Sequence, residues 1–236
     1  MPEPGEVRVW FARLDLPARV LASLERGLSC DERARAAAFR FDRDRRRFVA
    51  ARGFLRAVLG RCLGNRPGEV SFAYGPHGKP RLADPSASLR FNLSHSGERA
   101  ACALCREEEI GVDVEAVRDL DDADGIAARF FSAAEAAAIR RLPSAPERLE
   151  ALFNCWTRKE AYLKALGDGL ARPLDDFDVT LLPGEPARLS RVAGDAAEPS
   201  RWSLAELDPG PGFVGAVAVR ARGWRLATGW WDEDGS

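Results

Sequence analysis

Two acidic residues alternate with valines in the segment GVDVE at residues 111–115. On a β-strand, Asp113 and Glu115 would share one face, roughly 6.5–7 Å apart at the backbone. Neighbouring carboxylates repel each other unless a cation lies between them. Oxygen ligands favour Mg²⁺ or Ca²⁺ over zinc, so the segment indicates a hard-cation site. The alternative is an exposed strand face that carries two acids by chance.

A third carboxylate lies in the segment FNCWTRKEAYLKALGDGL at residues 153–170, which has the apolar period of a helix and ends in glycines. Lys159 projects into the apolar arc, Glu160 lies near its edge, and Lys164 follows one turn later on the same side. A buried charge requires a partner. A metal ion bound by Glu160 and the two GVDVE acids would provide one, and together with Lys164 it would suit a diphosphate. The alternative is a surface pair of Glu160 and Lys164 worth about 0.3–0.5 kcal/mol.

A hydroxyl and an imidazole are adjacent in NLSHSG, residues 92–97, where Ser94 and His95 are predicted to lie in a turn. Such a pair can bind a phosphate. A Ser-His hydrolase would require a G-x-S-x-G elbow, which the sequence lacks. A lone histidine is more often structural, so that alternative stays open for His95.

Basic residues are concentrated near the N-terminus, with ten arginines and only two acids between residues 33 and 61. Spacing alone leaves two interpretations open, a solvated helix face and a local anion site.

The predicted elements change from strand to helix and back along the chain. A strand is expected at 7–14, and helices at 28–39, with Ser29 and Glu32 in capping-box positions, and at 42–63. Strands follow within 80–82, 88–105 and 109–117. The second half has helices within 123–142, with a capping box at SAAE (132–135), and at 153–167, then strands within 176–192 and 201–231.

The two halves of the sequence resemble each other weakly. RFNLSHSGERAACAL and RWSLAELDPGPGFVGAVAV each contain a strand, a polar turn with glycine and a strand of small residues, and each follows helical material. This pattern favours a duplicated α+β unit with the site between the two copies.

The composition is that of a globular protein, with 236 residues, 46% hydrophobic and 30% charged. A net charge of -1 gives no field that would favour nucleic acid. No apolar run reaches about 18 residues and no signal peptide is recognisable, so we expect no membrane association and a cytoplasmic location. The five cysteines indicate no disulfide framework. Cys102 and Cys105, three apart on a predicted strand, would face opposite sides and could not share a metal.

The motifs together resemble the Sfp-type 4′-phosphopantetheinyl transferases over nearly the whole chain. In order they are GKP (78–80), FNLSHSG (91–97), GVDVE (111–115), RFFS (129–132), WTRKEAYLKALGDGL (156–170) and PL (173–174). The combination of GVDVE with W-x-x-K-E-x-x-x-K-x-x-G-x-G-L is highly specific.

The resemblance implies an α+β fold, a pseudo-dimer of two similar halves with the active site between them. Residues 1–110 would contact the nucleotide of coenzyme A, and residues 111–236 would carry the metal and catalytic groups. The implied reaction moves the phosphopantetheine arm of coenzyme A to a serine of an apo acyl or peptidyl carrier protein and releases 3′,5′-ADP. Mg²⁺, or Mn²⁺ in its place, would be required. The implied protein is monomeric and of a type that often serves secondary metabolism.

The resemblance also assigns site residues. Asp113, Glu115 and Glu160 would bind the metal, Glu160 would act as the base, and Lys164 would stabilise the leaving phosphate. The coenzyme A contacts would include Arg47, Arg52, Lys79, Ser94, His95, Asp113 and Lys164. Two other classes stay open, a carrier- or coenzyme-binding module without catalysis and a Mg²⁺-dependent phosphohydrolase.

Overall fold

The structure is a computed structural model and describes residues 1–167 and 172–232. Its helices are α1 (Ala18–Arg26), α2 (Cys30–Ala37), α3 (Asp42–Leu63), α4 (Ala123–Phe130), α5 (Ala133–Arg140), α6 (Ala145–Leu166) and α7 (Glu198–Arg201). Its strands are β1 (Glu6–Arg13), β2 (Phe72–Tyr74), β3 (Pro80–Leu82), β4 (Leu89–Ser96), β5 (Arg99–Arg106), β6 (Ile110–Ala116), β7 (Phe177–Val179), β8 (Leu189–Val192), β9 (Ser203–Leu207), β10 (Phe213–Val219) and β11 (Arg225–Trp230).

The two long helices have matching lengths and ends. Each has 22 residues, and each stops at a glycine with positive φ, 71° at Gly64 after α3 and 80° at Gly167 after α6. The bounds of α3 are those predicted. The second helix begins at Ala145, well before the predicted residue 153, because the Ser144 hydroxyl and the Glu147 carboxylate form a capping box that starts it earlier. The motif residues Asp168, Gly169 and Leu170 lie outside the described residues.

The predicted α+β duplication is confirmed by the strand order. One sheet has the order β11-β1-β5-β4 and the other β6-β10-β9. Strands β1, β5 and β4 therefore correspond to β6, β10 and β9, and both neighbouring pairs are antiparallel in each set. The last strand, β11, adds to the first sheet in parallel with β1.

Alternate residues of the central strands enter different cores. On β5, Cys102 and Leu104 pack with α3, whereas Ala103 and Cys105 pack between the two sheets together with Val112. Cys102 and Cys105 therefore face opposite sides, as predicted, and all five cysteines are free thiols. Helix α6 packs on the other face of the second sheet.

The predicted division at residues 110/111 stays a prediction, although β6 begins the second unit at Ile110. Within residues 1–167 and 172–232, none of the helices is long and apolar enough to cross a bilayer.

Candidate active site

Strand β6 separates its valines from its acids. Val112 and Val114 are fully buried between the two sheets, whereas Asp113 and Glu115 are on the opposite face. Asp113 is only 2% exposed, and Glu115 is half-buried. The predicted alternation in GVDVE is therefore present.

Helix α6 approaches this strand closely at Gly111. A Cβ atom at residue 111 would lie 2.1 Å from the backbone oxygen of Ala161 and 2.4 Å from the backbone nitrogen of Ala165. Only glycine permits this contact. The sequence reasoning did not give Gly111 a role, although a glycine inside a strand signals a close backbone approach.

This packing brings Lys164 of α6 onto Asp113. The Lys164 ammonium donates to Asp113 Oδ1 at 2.6 Å and to Ser94 Oγ at 2.8 Å. The Ser94 hydroxyl in turn donates to Asp113 Oδ1 at 2.8 Å. Asp113 Oδ2 is buried and has no hydrogen-bond partner within residues 1–167 and 172–232.

Ser94 and His95 lie on β4, which is a correction to the predicted turn; the turn that joins β4 to β5 lies at Gly97 and Glu98. Adjacent residues of a strand point to opposite sides. Ser94 therefore points toward the carboxylate cluster, which consists of Asp113, Glu115 and Glu160, and His95 does not. Ser94 is buried at 5% exposure, whereas His95 lines a large cavity. The two side chains are therefore not arranged as a nucleophile and its base.

The three predicted metal ligands affect one another electrostatically. Burial raises the pKa of Asp113, and the Lys164 ammonium opposes that shift. Burial also raises the pKa of Glu115. The hydrogen bond from Ser96 opposes this shift, and the Asp113 charge adds to it. Burial, followed by the Asp113 charge, raises the pKa of Glu160. The Asp113 charge therefore disfavours ionisation of both glutamates.

These carboxylates are not assembled as a ligand set. Within the described ranges, no three His, Cys, Asp or Glu side chains stand close enough together to hold a metal ion. The donor chemistry nevertheless fits a hard cation, because all three groups are carboxylates and Asp113 Oδ2 lacks a partner in the part of the chain that the structure describes.

A cavity of about 710 Å³ lies beside the cluster, between α2, α3 and β4. Two of its arginines are already paired. Arg47 donates to both oxygens of Asp15 at 2.8 Å, and Arg52 forms a 2.5 Å ion pair with the buried Glu32. Arg47 and Arg52, the two arginines predicted to contact coenzyme A, therefore line the cavity, but each is already paired with a carboxylate.

Arg35 of α2 lines the same cavity without an ion pair in the part of the chain that the structure describes; its guanidinium lies 5.4 Å from the centre of the Phe48 ring. The surrounding protein lowers the pKa of His95, and the charges of Lys164 and then Arg35 lower it further. The sequence reasoning passed over Arg35, because ten arginines at similar spacing conceal which of them lack carboxylate partners.

Known proteins resemble this chain along its length. Residues 109–225 match the 4′-phosphopantetheinyl transferase superfamily, and residues 18–107 match the family described as 4′-phosphopantetheinyl transferase, N-terminal. The 4′-phosphopantetheinyl transferase HetI of Nostoc sp. is 45% identical over 222 residues, covering 93% of this chain and 90% of HetI. The chain is a 4′-phosphopantetheinyl transferase.

Two other transferases show how far the similarity extends. The 4′-phosphopantetheinyl transferase Sfp of Bacillus subtilis is 30% identical over 184 residues, covering 78% of this chain and 79% of Sfp. The 4′-phosphopantetheinyl transferase AcpT of Salmonella typhi is 40% identical over 127 residues, covering 53% of this chain and 62% of AcpT.

Lys79 of the transferase links its two halves. Its ammonium donates to the backbone oxygens of Ala165 at 2.9 Å and Ile110 at 3.2 Å, and it lies 3.4 Å from Glu109. Burial lowers the pKa of Lys79, and Glu109 opposes this shift. A cavity of about 250 Å³ joins Lys79 to Glu160 and Lys164.

A further cavity of about 210 Å³ lies on the other side of Glu115. Its walls are mainly apolar and include Phe130, Phe153 and Trp156. Glu115 therefore lines an apolar cavity, and its hydrogen-bond donor Ser96 lines the arginine-lined cavity.

Proposed function

We propose that the protein transfers the 4′-phosphopantetheine arm of coenzyme A to a serine of an apo carrier protein, in a Mg²⁺-dependent reaction that releases 3′,5′-ADP. The observation that carries this proposal is the contact of Lys164 with the buried Asp113, at a cavity that Lys164 shares with Lys79 and Glu160. A cation next to partly neutralised carboxylates suits a diphosphate, whose transfer depends on positioning and charge neutralisation.

Glu160 is the proposed base. Its pKa is raised by burial and by the neighbouring carboxylates, which makes it a stronger proton acceptor. The carrier serine oxygen forms a bond to the phosphorus next to pantetheine, and its proton passes to Glu160. The bond from that phosphorus to the bridging oxygen breaks, and Lys164 stabilises the negative charge on the departing 3′,5′-ADP.

Asp113, Glu115 and Glu160 are the proposed Mg²⁺ ligands, with Mn²⁺ as a substitute. When bound, the ion would polarise the phosphoryl oxygens and offset charge in the transition state. Asp113 Oδ2, which has no hydrogen-bond partner among the described residues, supports this assignment. Glu115 and Glu160 would complete the set.

The arginine-lined cavity is the proposed site of the nucleotide. His95 and Arg35 have no carboxylate partner among the described residues and are offered to the 3′-phosphate, whereas Arg47 and Arg52 must share their charge with Asp15 and Glu32. Lys79 lies at the border of the two halves and would contact the nucleotide there. The position of Ser94 favours a role at the diphosphate over one at the nucleotide.

The proposed partners are acyl or peptidyl carrier domains, including those of secondary metabolism. Because the second unit takes the place of a second chain, we propose a monomer. A cytoplasmic location would supply both coenzyme A and the carriers. Relative rates with a panel of apo carriers would identify the physiological partner.

One incubation with coenzyme A, Mg²⁺ and an apo carrier separates the three candidate classes. A mass gain of one phosphopantetheine on the carrier, abolished by excess EDTA, supports the transferase proposal. Binding of coenzyme A without a mass gain indicates a binding module. Orthophosphate release in the absence of carrier indicates a phosphohydrolase.

A further inference from the structure

Side chains, and not a backbone ladder, join the two sheets at the active site. Strands β4 and β6 run side by side but belong to different sheets, and no backbone hydrogen bond connects them in the described part of the chain. Instead, backbone amides of β6 donate to side-chain oxygens of β4. The three bonds are Val112 N to Asn92 Oδ1 at 2.9 Å, Val114 N to Ser94 Oγ at 3.4 Å and Ala116 N to Ser96 Oγ at 3.2 Å.

The same two serines also contact the carboxylates. Ser94 donates to Asp113 Oδ1 at 2.8 Å, and Ser96 donates to Glu115 Oε2 at 2.7 Å. Each hydroxyl thus accepts from a backbone amide and donates to the acid that precedes that amide. Serine can do both with a single oxygen. Asn92 accepts from Val112 N, and the residue before that amide, Gly111, carries no carboxylate.

This arrangement constrains where the carboxylates point. An amide fixed in the β6 backbone occupies one lone pair of the serine oxygen, so the hydroxyl hydrogen has few directions left. The Ser94 and Lys164 bonds hold Oδ1 of Asp113, and no described residue bonds to Oδ2. At Glu115, the Ser96 bond holds Oε2.

We propose that Ser96 is a positioning residue for Glu115, and that the row of Asn92, Ser94 and Ser96 orients both acids for a divalent cation. The inference rests on the proposed metal site. Hydrogen bonds that orient ligands typically change metal affinity by about 10–100-fold. Asn92 and Ser96 had no assigned role in the sequence reasoning, and their i, i+2, i+4 spacing with Ser94 is the signal that places all three on one face of β4.

The test compares Ser96→Ala, Ser96→Thr and the control Ser86→Ala. Ser86 also donates to a carboxylate, Asp84 Oδ1, at 2.7 Å, but in an exposed turn. Amide hydrogen exchange of the metal-free protein shows whether the β6 amides are hydrogen-bonded to the row of Asn92, Ser94 and Ser96. Protection of the Ala116 amide should fall about tenfold in Ser96→Ala, recover in Ser96→Thr and stay at the wild-type level in the control.

Mn²⁺ binding, followed by the electron paramagnetic resonance signal of the free ion, reports the consequence. Ser96→Ala should weaken the Kd for Mn²⁺ about tenfold or more, whereas Ser96→Thr and Ser86→Ala should stay within a few-fold of wild type. An unchanged Kd in Ser96→Ala, or loss of Ala116 protection in the control as well, would overturn the inference.

The transfer assay keeps the two proposals apart. Wild-type protein that modifies a carrier but binds no Mn²⁺ would overturn the positioning role and leave the transferase function standing. Protein with a Ser96-dependent Mn²⁺ site that modifies no carrier would support the positioning role and count against the proposed function.

Discussion

Lys159 is a fully buried ammonium in helix α6, which also carries the proposed base Glu160, and its replacement by methionine should be strongly destabilising. It is 0% exposed and lies 2.8 Å from the Glu135 carboxylate, which is 3% exposed. It also donates to the backbone oxygens of Leu174, at 2.7 Å, and Phe177. Lys159→Met would leave a buried carboxylate and two carbonyl groups without their cation.

The expected loss follows from this burial. Removing one partner of a buried ion pair typically costs about 3–5 kcal/mol, because the other charge remains without compensation. For a chain of this size, that corresponds to a fall in Tm of roughly 6–20 °C. An exposed pair offers the matched control. Arg225 lies 2.9 Å from Glu3, and their side chains are 69% and 73% exposed, so Arg225→Met should cost less than about 1 kcal/mol.

Urea unfolding followed by tryptophan fluorescence measures both variants. The double variant Glu135→Gln/Lys159→Met removes both buried charges and should recover about 1–3 kcal/mol relative to Lys159→Met alone. If Lys159→Met unfolds within about 1 kcal/mol of the Arg225→Met control, the buried pair does not anchor α6.

The remaining predictions concern the site and its supports. Glu160→Gln should retain coenzyme A binding, measured by calorimetry, but lower kcat by about 10²–10⁴-fold, and an unchanged kcat would remove it as the base. Arg35→Ala should reduce the preference for coenzyme A over dephospho-coenzyme A, measured as the ratio of kcat/KM values, more than Arg47→Ala does; the reverse order would show that the Asp15 pair does not restrain Arg47. Gly111→Ala should lower both Tm and transfer rate, because its Cβ would meet the α6 backbone at 2.1 Å; wild-type values for both would refute that contact. Burial opposes ionisation of Glu32, but its two arginine partners outweigh that effect and keep its pKa below 4.5. The unfolded state then binds more protons, so the free energy of unfolding should fall as the pH drops below about 4.5, and Glu32→Gln should flatten this fall in urea titrations from pH 6 to 3.5.

Local signals in the sequence determined the elements and much of the chemistry. Helix α3 has its predicted bounds because the apolar period and the glycine at its end depend on neighbouring residues only. The capping box of Ser132 and Glu135 is local in the same way. The two acids of GVDVE share a face because a strand has a period of two.

The local signals were insufficient where a turn and a strand have similar compositions. The serines and histidine of NLSHSG were assigned to a turn, but these residues complete β4, because Ser94 and Ser96 find amide and carboxylate partners on β6. Those partners lie about twenty positions further along the chain, beyond the reach of local preference.

Only the tertiary structure decided which charges are free and which are paired. Arg47 and Arg35 look alike in the sequence, and both line the cavity. Asp15 of a distant loop pairs with Arg47, whereas no carboxylate of the described residues pairs with Arg35. Lys164 meets Asp113 because Gly111 lets α6 approach β6, a contact between residues about fifty positions apart. Pairings of this kind depend on how helices and sheets pack, since a side chain binds the nearest group in space, whatever its place in the sequence.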